Sequence, residues 1–515
     1  MKLELNEINE AINAISNSID AGEWTDALIG CEMMLGELEK NAISEYSLNL
    51  FFNLASHYID AGTYLRNKDA VLSGINILEK HRSHYEDKFI NHFFYNLANA
   101  KISIANNFGY KNELLSYENS ELYSEAKNLY WQNFKKINKD TNTNLYYQNL
   151  INLANTLKQQ YRFSEAMFIY EKIALTKLDY PEAFLNRATC LETFDKFLDH
   201  RTEKMIQEII KGYTFVYLSP FTISVYKPSY LERIHFLKSQ INDFDEDDEI
   251  KKNKEDLLQM SDFRQWCIKE NLTLNIHGMY CSCIANERDN LTLFEGVVSS
   301  ENILKHEQYL NRIKAEFSLV RALLYESKFT ESSIVDFESC YSELNDHEII
   351  NIRSEKLRTC FRLCFSILDK LAIFLCHYFS LKIEKNTAFN NFWHKNKSIL
   401  EIKENFALIA INSLIYDLNE QNGQFGFYKI WRNSLEHHIL FLVPDSFELS
   451  NDSTHTYVKI SEFESSLQNL LQFTRSAIFS TVFSIIEDLR QKKPNDRENT
   501  IEITVHKKDF NQFIK

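Results

Sequence analysis

The segment 431–442 reads Trp-Arg-Asn-Ser-Leu-Glu-His-His-Ile-Leu-Phe-Leu and repeats large apolar residues at helical spacing. The apolar positions follow at intervals of four, four and three residues: Trp431, Leu435, Ile439 and Leu442. A helix buries such a stripe and leaves its other face to solvent. The segment is therefore predicted to form one amphipathic helix, which Pro444 would end soon afterwards.

The same period dominates the rest of the chain, whose 515 residues are enough for two or three domains. Only 11 glycines and 5 prolines interrupt it, so an all-α fold is predicted. Apolar residues make up 44% and charged residues 25%, which is usual for a globular protein. The one clear alternation, Ile501-Glu502-Ile503-Thr504-Val505, predicts a short strand in an otherwise polar tail, 494–515.

The distribution of apolar residues and cysteines bears on location and cofactors. There is no run of about eighteen apolar residues, and the first residues, Met1 to Glu7, are acidic and amphipathic, unlike a secretory signal. We therefore expect a cytoplasmic protein without a membrane partner. The nine cysteines show no framework of spacings, which indicates reduced thiols. Cys281 and Cys283 are close in sequence but lack further ligands nearby, so no metal and no cofactor are expected.

Short motifs recur in the first two hundred residues. Asn-Leu-Ala stands at 53–55, 96–98 and 152–154, and Ser-Glu-Ala-x-x-x-Tyr at 124–130 and 164–170. The stretch 150–191 resembles a tetratricopeptide repeat, in which small alanines let paired helices approach and aromatics fill the gaps. The resemblance implies a repeat array over 1–215 that binds a protein or peptide. A plain series of helix hairpins is the alternative, because the motif spacing varies.

A change of composition follows the repeats. Pro220 and Pro228 interrupt the helical pattern, and an acidic run, 243–249, precedes several lysines. Because like charges in a block repel one another, residues 216–260 are predicted to be a linker or exposed loop. A functional acidic arm is the alternative.

Ordered blocks from Phe263 onward share a second resemblance. They are Phe263-Arg264-Gln265-Trp266-Cys267, Leu274-Asn275, Leu310–Glu316, Val320–Glu326, Phe361-Arg362, Ser366–Ala372, Arg432–His437 and Arg475-Ser476-Ala477. Together they resemble a HEPN-superfamily domain (higher eukaryotes and prokaryotes nucleotide-binding), of the bacterial subgroup often preceded by tetratricopeptide-like repeats. The resemblance implies a HEPN-type helical bundle at 346–493, commonly dimeric, after a helical connector at 261–345.

The same resemblance identifies candidate site residues. Arg432, Asn433 and His437 match the Arg-Asn/His-x-x-x-His signature of metal-independent RNases, many of which act as toxins or in antiphage defence. Arginine can hold a phosphate with two parallel hydrogen bonds, and an imidazole can transfer protons near neutral pH. Asp369 and Glu436 are further candidates, Asp369 as a carboxylate that orients the signature helix. The expected reaction is attack of an RNA 2′-hydroxyl on the adjacent phosphate, which leaves a 2′,3′-cyclic phosphate; tRNA is one candidate substrate.

Charge and geometry qualify this expectation. The net charge of −15 argues against a general nucleic-acid coat, but 353–490 is neutral, with fifteen basic and fifteen acidic residues. Side chains five apart on a helix point about 140° away from each other. One helix therefore presents Arg432 and His437 poorly to a single phosphate, whereas two copies across a twofold axis would line one cleft. A homodimer is predicted.

Other interpretations of the same residues stay open. The signature face could be a solvated surface with an Arg432–Glu436 ion pair and an Asn433–His437 hydrogen bond. Asp369 could instead pair with Lys370 or Arg362, and His438 is expected to pack beside Ile439. At the level of function, the alternative is a noncatalytic dimeric adaptor that binds a partner through the repeats. The repeats could also restrain a nuclease until a trigger binds, or bind its inhibitor.

Overall fold

The computed structural model describes residues 3–108, 110–111, 114–115, 117–176, 180–198, 202–241, 246–293, 298–330, 347–403, 405–449, 455–491 and 500–501. Twenty α-helices and six short strands lie in this part, which confirms the all-α prediction. Contacts divide the chain into two compact units, 1–160 with 422–424, and 161–421 with 425–515. None of the helices described in either unit combines the length and the apolar character needed to cross a bilayer.

The first unit consists of helix hairpins. Its described helices are α1 Leu5–Ala21, α2 Trp24–Leu38, α3 Glu45–Tyr64, α4 Lys68–Lys80, α5 Arg82–Lys88, α6 Ile90–Phe108, α7 Tyr117–Lys136 and α8 Thr143–Gln159. Two short antiparallel strands, β1 Tyr110–Lys111 and β2 Leu114–Leu115, lie between α6 and α7. Gly22 separates α1 from α2 in a left-handed conformation, with φ of 82°, which favours glycine.

The Asn-Leu-Ala motifs occupy equivalent positions in α3, α6 and α8. Their alanines are fully buried, so neighbouring helices can approach closely. Asn96 Nδ2 donates to Ser56 Oγ over 2.6 Å, and Asn152 Nδ2 donates to Asn99 Oδ1 over 3.1 Å. Each acceptor lies three positions after the asparagine of the preceding motif. The asparagines therefore link the motif-bearing helices α3, α6 and α8 to one another, and the helical N-terminal region fits the predicted repeats.

The second unit combines shorter helices with three long ones. Its described helices are α9 Phe163–Thr176, α10 Pro181–Leu198, α11 Glu203–Leu218, α12 Lys227–Lys238, α13 Glu246–Gln259, α14 Asp262–Lys269, α15 Ser300–Phe329, α16 Ile352–Tyr378, α17 Phe389–Leu400, α18 Phe406–Asp417, α19 Phe427–His437 and α20 Ile460–Gln491. The parallel strands β4 Leu440–Val443 and β5 Thr456–Lys459 pair with each other. The antiparallel strands β3 Val298–Ser299 and β6 Thr500–Ile501 do likewise.

Two helices, α12 and α13, occupy much of the segment 216–260 that was predicted to be a linker. Pro228 lies in the first turn of α12, where the missing N–H costs nothing. α13 begins at Glu246, inside the acidic run, and residues 243–245 lie outside the described residues. Glutamate and lysine are good helix formers, so the charge run did not prevent a helix. The predicted domain boundaries at 215, 260 and 345 stay predictions, while the compact units divide at 160.

The predicted helix over 431–442 is wrong in its second half. α19 ends at His437, and Leu440–Val443 forms β4, paired in parallel with β5. Ile439 is 56% exposed, whereas Leu440, Leu442 and Val443 are buried. A short apolar run fits a buried strand as well as a helix, and pairing with a segment sixteen residues further on decides between them. The predicted strand near the C-terminus is found at Ile501, and residues 502–505 lie outside the described residues.

Several family blocks meet in one buried polar network rather than at the signature. Asp289 contacts Arg264 Nη1 at 3.0 Å and Arg321 Nη2 at 2.5 Å. Burial raises the pKa of Asp289, but the charges of Arg321 and Arg264 outweigh burial and lower it to about 2. Arg475 Nε donates to Thr273 O over 2.7 Å. These arginines tie the loop after α14 to α15 and α20, so their blocks serve the fold of the second unit.

Glu487 of α20 is a buried carboxyl group at the beginning of α18. It accepts a hydrogen bond from Ala407 N over 3.1 Å and is only 8% exposed. Burial raises the pKa of Glu487 to about 7, against the lowering effect of the Phe406 and Ala407 amides. The protonated Glu487 side chain therefore contributes its full stability at pH values below 4.5, its ordinary pKa. This contribution is lost as the pH rises through about 7.

We expect Glu487→Gln to be more stable than the wild type at pH 8, by on the order of 3 kcal/mol, because glutamine keeps an acceptor and does not ionise. The advantage should shrink strongly at pH 5. Urea unfolding of both proteins at pH 5 and pH 8 measures it. A difference in the free energy of unfolding that does not change with pH would contradict this account.

Candidate active site on helices α16 and α19

Aromatic packing fixes the orientation of α19. The Trp431 ring stacks on Phe463, with centroids 5.5 Å apart, and lies 6.0 Å from Phe361. Tyr428 Oη donates to Ser466 O over 2.8 Å. Before the helix, a Cβ on Gly426 would stand 2.3 Å from Asn419 O, so only glycine fits this close approach. The buried side of α19 is thereby fixed, and the signature residues take the remaining faces.

Arg432 lies at the edge of this packed face. Its Nη2 is 3.2 Å from Asp369 Oδ2, and its Cζ is 5.7 Å from the Phe365 ring centroid. The Arg432 side chain is 36% exposed. The ion pair considered from the sequence, with Glu436 one turn further along α19, does not form; Arg432 pairs across helices with α16 instead. A cation placed beside an aromatic ring and a carboxylate is held in one orientation.

Asp369 connects three helices. Its Oδ1 accepts from Phe389 N at the beginning of α17 over 3.0 Å, and its Oδ2 faces Arg432. Burial raises the pKa of Asp369, while the Phe389 amide and the charges of Arg432 and Lys370 lower it in part. Lys370 Nζ binds Glu316 Oε2 at 2.6 Å. Of the sequence alternatives, the contact with the signature helix is the one that forms.

Asn433, Glu436 and His437 are exposed, and His437 is the last residue of α19. Within the described part of the chain, their side chains make no hydrogen bond or ion pair, so the Asn433–His437 hydrogen bond is absent there. His438 is exposed beside an exposed Ile439, so the predicted packing of this histidine is wrong. The structure thus joins Arg432 to Asp369 and leaves Asn433 and His437 open to solvent.

A small pocket of about 20 Å³ adjoins the Arg432–Asp369 pair, with room for roughly one water molecule. The sequence did not single out Phe389, Asn390 or Lys429, which help to line it. Lys429 also forms an ion pair with Glu420. Arg432 therefore borders a shallow, open surface rather than a deep cavity. No pattern in the sequence marked these residues.

A larger cleft of about 860 Å³ in the same unit was also not predicted. It lies among α9, α14 and α15, and its wall includes Trp266, Tyr325 and Phe329, the last of which is 60% exposed. Cys281 lines it as well.

All eight cysteines in the described ranges are free thiols. In those same ranges, no group of three or more His, Cys, Asp or Glu side chains could hold a metal ion.

Comparison with known proteins identifies the C-terminal region. Residues 297–488 match the family model described as LA2681-like HEPN. This range begins inside the predicted connector, 261–345, and contains all five candidate site residues. A search among curated proteins found no match.

Two substitutions of Asp369 separate its contacts. Asp369→Asn keeps an acceptor for the Phe389 amide and removes the charge that faces Arg432. Because burial raises the pKa of Asp369, the ionised carboxylate lowers stability as pH rises towards neutrality. We expect the Asn variant to melt at or above the wild-type temperature at pH 7. Asp369→Ala should lose about 1–3 kcal/mol, since the Phe389 amide loses its partner. Thermal unfolding tests both, and equal destabilisation by Asn and Ala would contradict this division.

Proposed function

Because residues 297–488 form a HEPN-superfamily domain, we propose that this chain is an endoribonuclease with its active site on α16 and α19. Membership of the superfamily indicates a nuclease or RNA-related function. The observation that carries the finer proposal is the Arg432–Asp369 pair. It holds a guanidinium next to Asn433 and five residues before His437, and both of these side chains are exposed and free to meet a substrate.

In the proposed reaction, the 2′-oxygen of a ribose attacks the adjacent phosphorus while the bond to the 5′-oxygen breaks. A base takes the proton of the 2′-hydroxyl, and an acid gives a proton to the departing 5′-oxygen. The products are a 2′,3′-cyclic phosphate and a 5′-hydroxyl. His437 performs one of the two proton transfers. The reaction is proposed to need neither metal nor cofactor, as in the RNases that the sequence resembles.

Arg432 holds the phosphate and stabilises the charge that builds on its nonbridging oxygens. The guanidinium has five N–H donors, and Asp369 contacts it at Nη2 only, so donors remain for a bidentate phosphate contact. Asp369 thus acts as a positioning residue rather than a catalytic one. Asn433 orients His437 or a nonbridging oxygen once RNA is bound, and Glu436 remains a secondary candidate for positioning.

A homodimer is part of the proposal. His437 lies five residues after Arg432, which on a helix means about 140° of rotation and about 7.5 Å along the axis. A second copy across a twofold axis would bring its own histidine to the cleft and supply the other proton transfer. HEPN domains commonly dimerise and bind RNA.

The proposed cellular role is that of a cytoplasmic toxin or antiphage effector, and tRNA is one candidate substrate. The repeats are proposed to bind a protein or peptide that acts as a trigger or as an inhibitor.

The second candidate function is a noncatalytic dimeric adaptor. One observation favours it: within the described residues, no hydrogen bond orients His437. A histidine that transfers protons usually has its second ring nitrogen held by a partner. In the nuclease proposal, the substrate or a second copy of the chain provides that partner. An adaptor needs no partner for this histidine.

Incubation of purified protein with total RNA and tRNA, in the presence of EDTA, tests the nuclease. We expect the wild type to leave 2′,3′-cyclic phosphate ends and to spare DNA, which lacks the 2′-hydroxyl. His437→Ala should reduce the rate by roughly 10²–10⁴-fold and Arg432→Ala by roughly 10²–10³-fold. Arg432→Lys should stay impaired because lysine cannot form the bidentate contact. The matched control is His438→Ala, an exposed neighbouring histidine, which should keep wild-type activity.

Equal activity of wild type and His437→Ala would overturn the assignment of the site. If the wild type is inert in solution, expression in cells decides: growth arrest by the wild type but not by Arg432→Ala/His437→Ala would indicate a nuclease that needs a trigger. Normal growth with both would leave the adaptor.

A further inference from the structure

Arg362 of α16 lies on the helix face that meets α19. Arg358 Nη2 donates to Leu440 O over 3.1 Å, and Phe365 lies under Arg432. With about 100° per residue, Arg362 points roughly 40° from Arg358 and roughly 60° from Phe365, and both lie on the same side of it. It also points within about 20° of Asp369. Arg362 therefore lies at one edge of the face of α16 whose residues contact α19 and the strand after it.

The same contacts give the level of Arg362 along the groove between the helices. Asp369 meets Arg432, and the earlier residue Arg358 meets the later residue Leu440, so α16 and α19 run antiparallel. Arg362 precedes Asp369 by seven residues, or about 10.5 Å, and His437 follows Arg432 by five, or about 7.5 Å. Arg362 therefore lies beyond the Arg432–Asp369 pair, towards the beginning of α16, where its neighbour Phe361 packs against Trp431.

Arg362 is a half-buried cation whose neighbours are already paired. Within the described residues it makes no ion pair or hydrogen bond. Arg358 is paired with Glu348 and Glu355, and Asp369 with Arg432 and the Phe389 amide. Glu436 of α19 is exposed and forms no ion pair with Arg362 within the described residues. A half-buried guanidinium without a carboxylate is suited to an anionic ligand.

We propose that Arg362 binds an RNA phosphate next to the one that Arg432 holds, and this rests on the proposed ribonuclease function. The offset of about 10.5 Å along α16 is larger than one phosphate group, so a neighbouring nucleotide fits better than the scissile phosphate itself. The site therefore requires a strand of several nucleotides, positioned by two arginines. Arg362 is a substrate-binding residue and takes no part in proton transfer.

Binding of a fluorescent single-stranded oligoribonucleotide tests this separately from catalysis. The full chain carrying His437→Ala is compared with the same chain carrying Arg362→Gln in addition, over a range of salt concentrations. We expect the chain that also carries Arg362→Gln to bind more weakly. The magnitude of its slope of log affinity against log salt should decrease by about 0.7, the value for one phosphate contact on a single strand. Arg288→Gln, at an exposed arginine after α14, makes the same charge change and should leave the slope unchanged.

A salt slope for Arg362→Gln equal to that for Arg288→Gln would overturn the role of Arg362 and leave the nuclease untouched. If the parent His437→Ala chain binds no RNA at all, both the proposed function and the proposed role of Arg362 fail. Arg362→Lys keeps the charge and should keep the slope. If Arg362→Lys lowers the slope as much as Arg362→Gln does, the loss comes from altered packing, which contradicts the phosphate contact.

Discussion

Burial of Trp431 between Phe361 and Phe463 is the constraint on which the candidate site depends. Once that side chain is packed, the rotation of α19 is fixed, and each residue of the signature takes a set direction. Arg432 falls at the edge of the packed face, where Phe365 and Asp369 hold it. Asn433 and His437 fall on the exposed faces. The helix therefore separates an arginine that its neighbours hold in place from an asparagine and a histidine that are open to solvent.

The ends of α19 are held as firmly as its middle. Gly426 allows the chain to pass close to Asn419 O before the helix, and the pairing of β4 with β5 takes over directly after it. Arg358 reaches the first residue of β4 from α16. These contacts place His437 at the end of a helix instead of in its middle, and its side chain is exposed there.

Features with a local cause could be predicted from the sequence, and features with a distant cause could not. The alternating helices, the buried repeat alanines and the first half of α19 follow from periodicity and residue size. The end of α19 depends on pairing with 456–459, which no local pattern in 431–442 reveals. Arg432 has a carboxylate one turn away on its own helix, yet it pairs with Asp369, because a packed neighbouring helix presents that group better. Asp369 could be named as a candidate from its family block, whereas its bond to the Phe389 amide could not.

The family blocks carry a similar lesson. Arg264, Arg321 and Arg475 were prominent in the sequence, yet they meet around Asp289 and the loop after α14 rather than at the signature. Asp289 itself was not singled out, because a lone aspartate between helices has no distinctive pattern. Resemblance thus found the domain, and the structure separates family residues that are buried in its core from family residues that are exposed.

Ultraviolet cross-linking of RNA to the full chain carrying His437→Ala, followed by mass spectrometry of tryptic peptides, tests the central claim most directly. If the groove between α16 and α19 binds RNA, nucleotides will be attached to peptide 433–459, which begins directly after Arg432, and to peptides around Arg362. Cross-links confined to other parts of the chain, or none above the level of a chain that also carries Arg432→Ala, would contradict it.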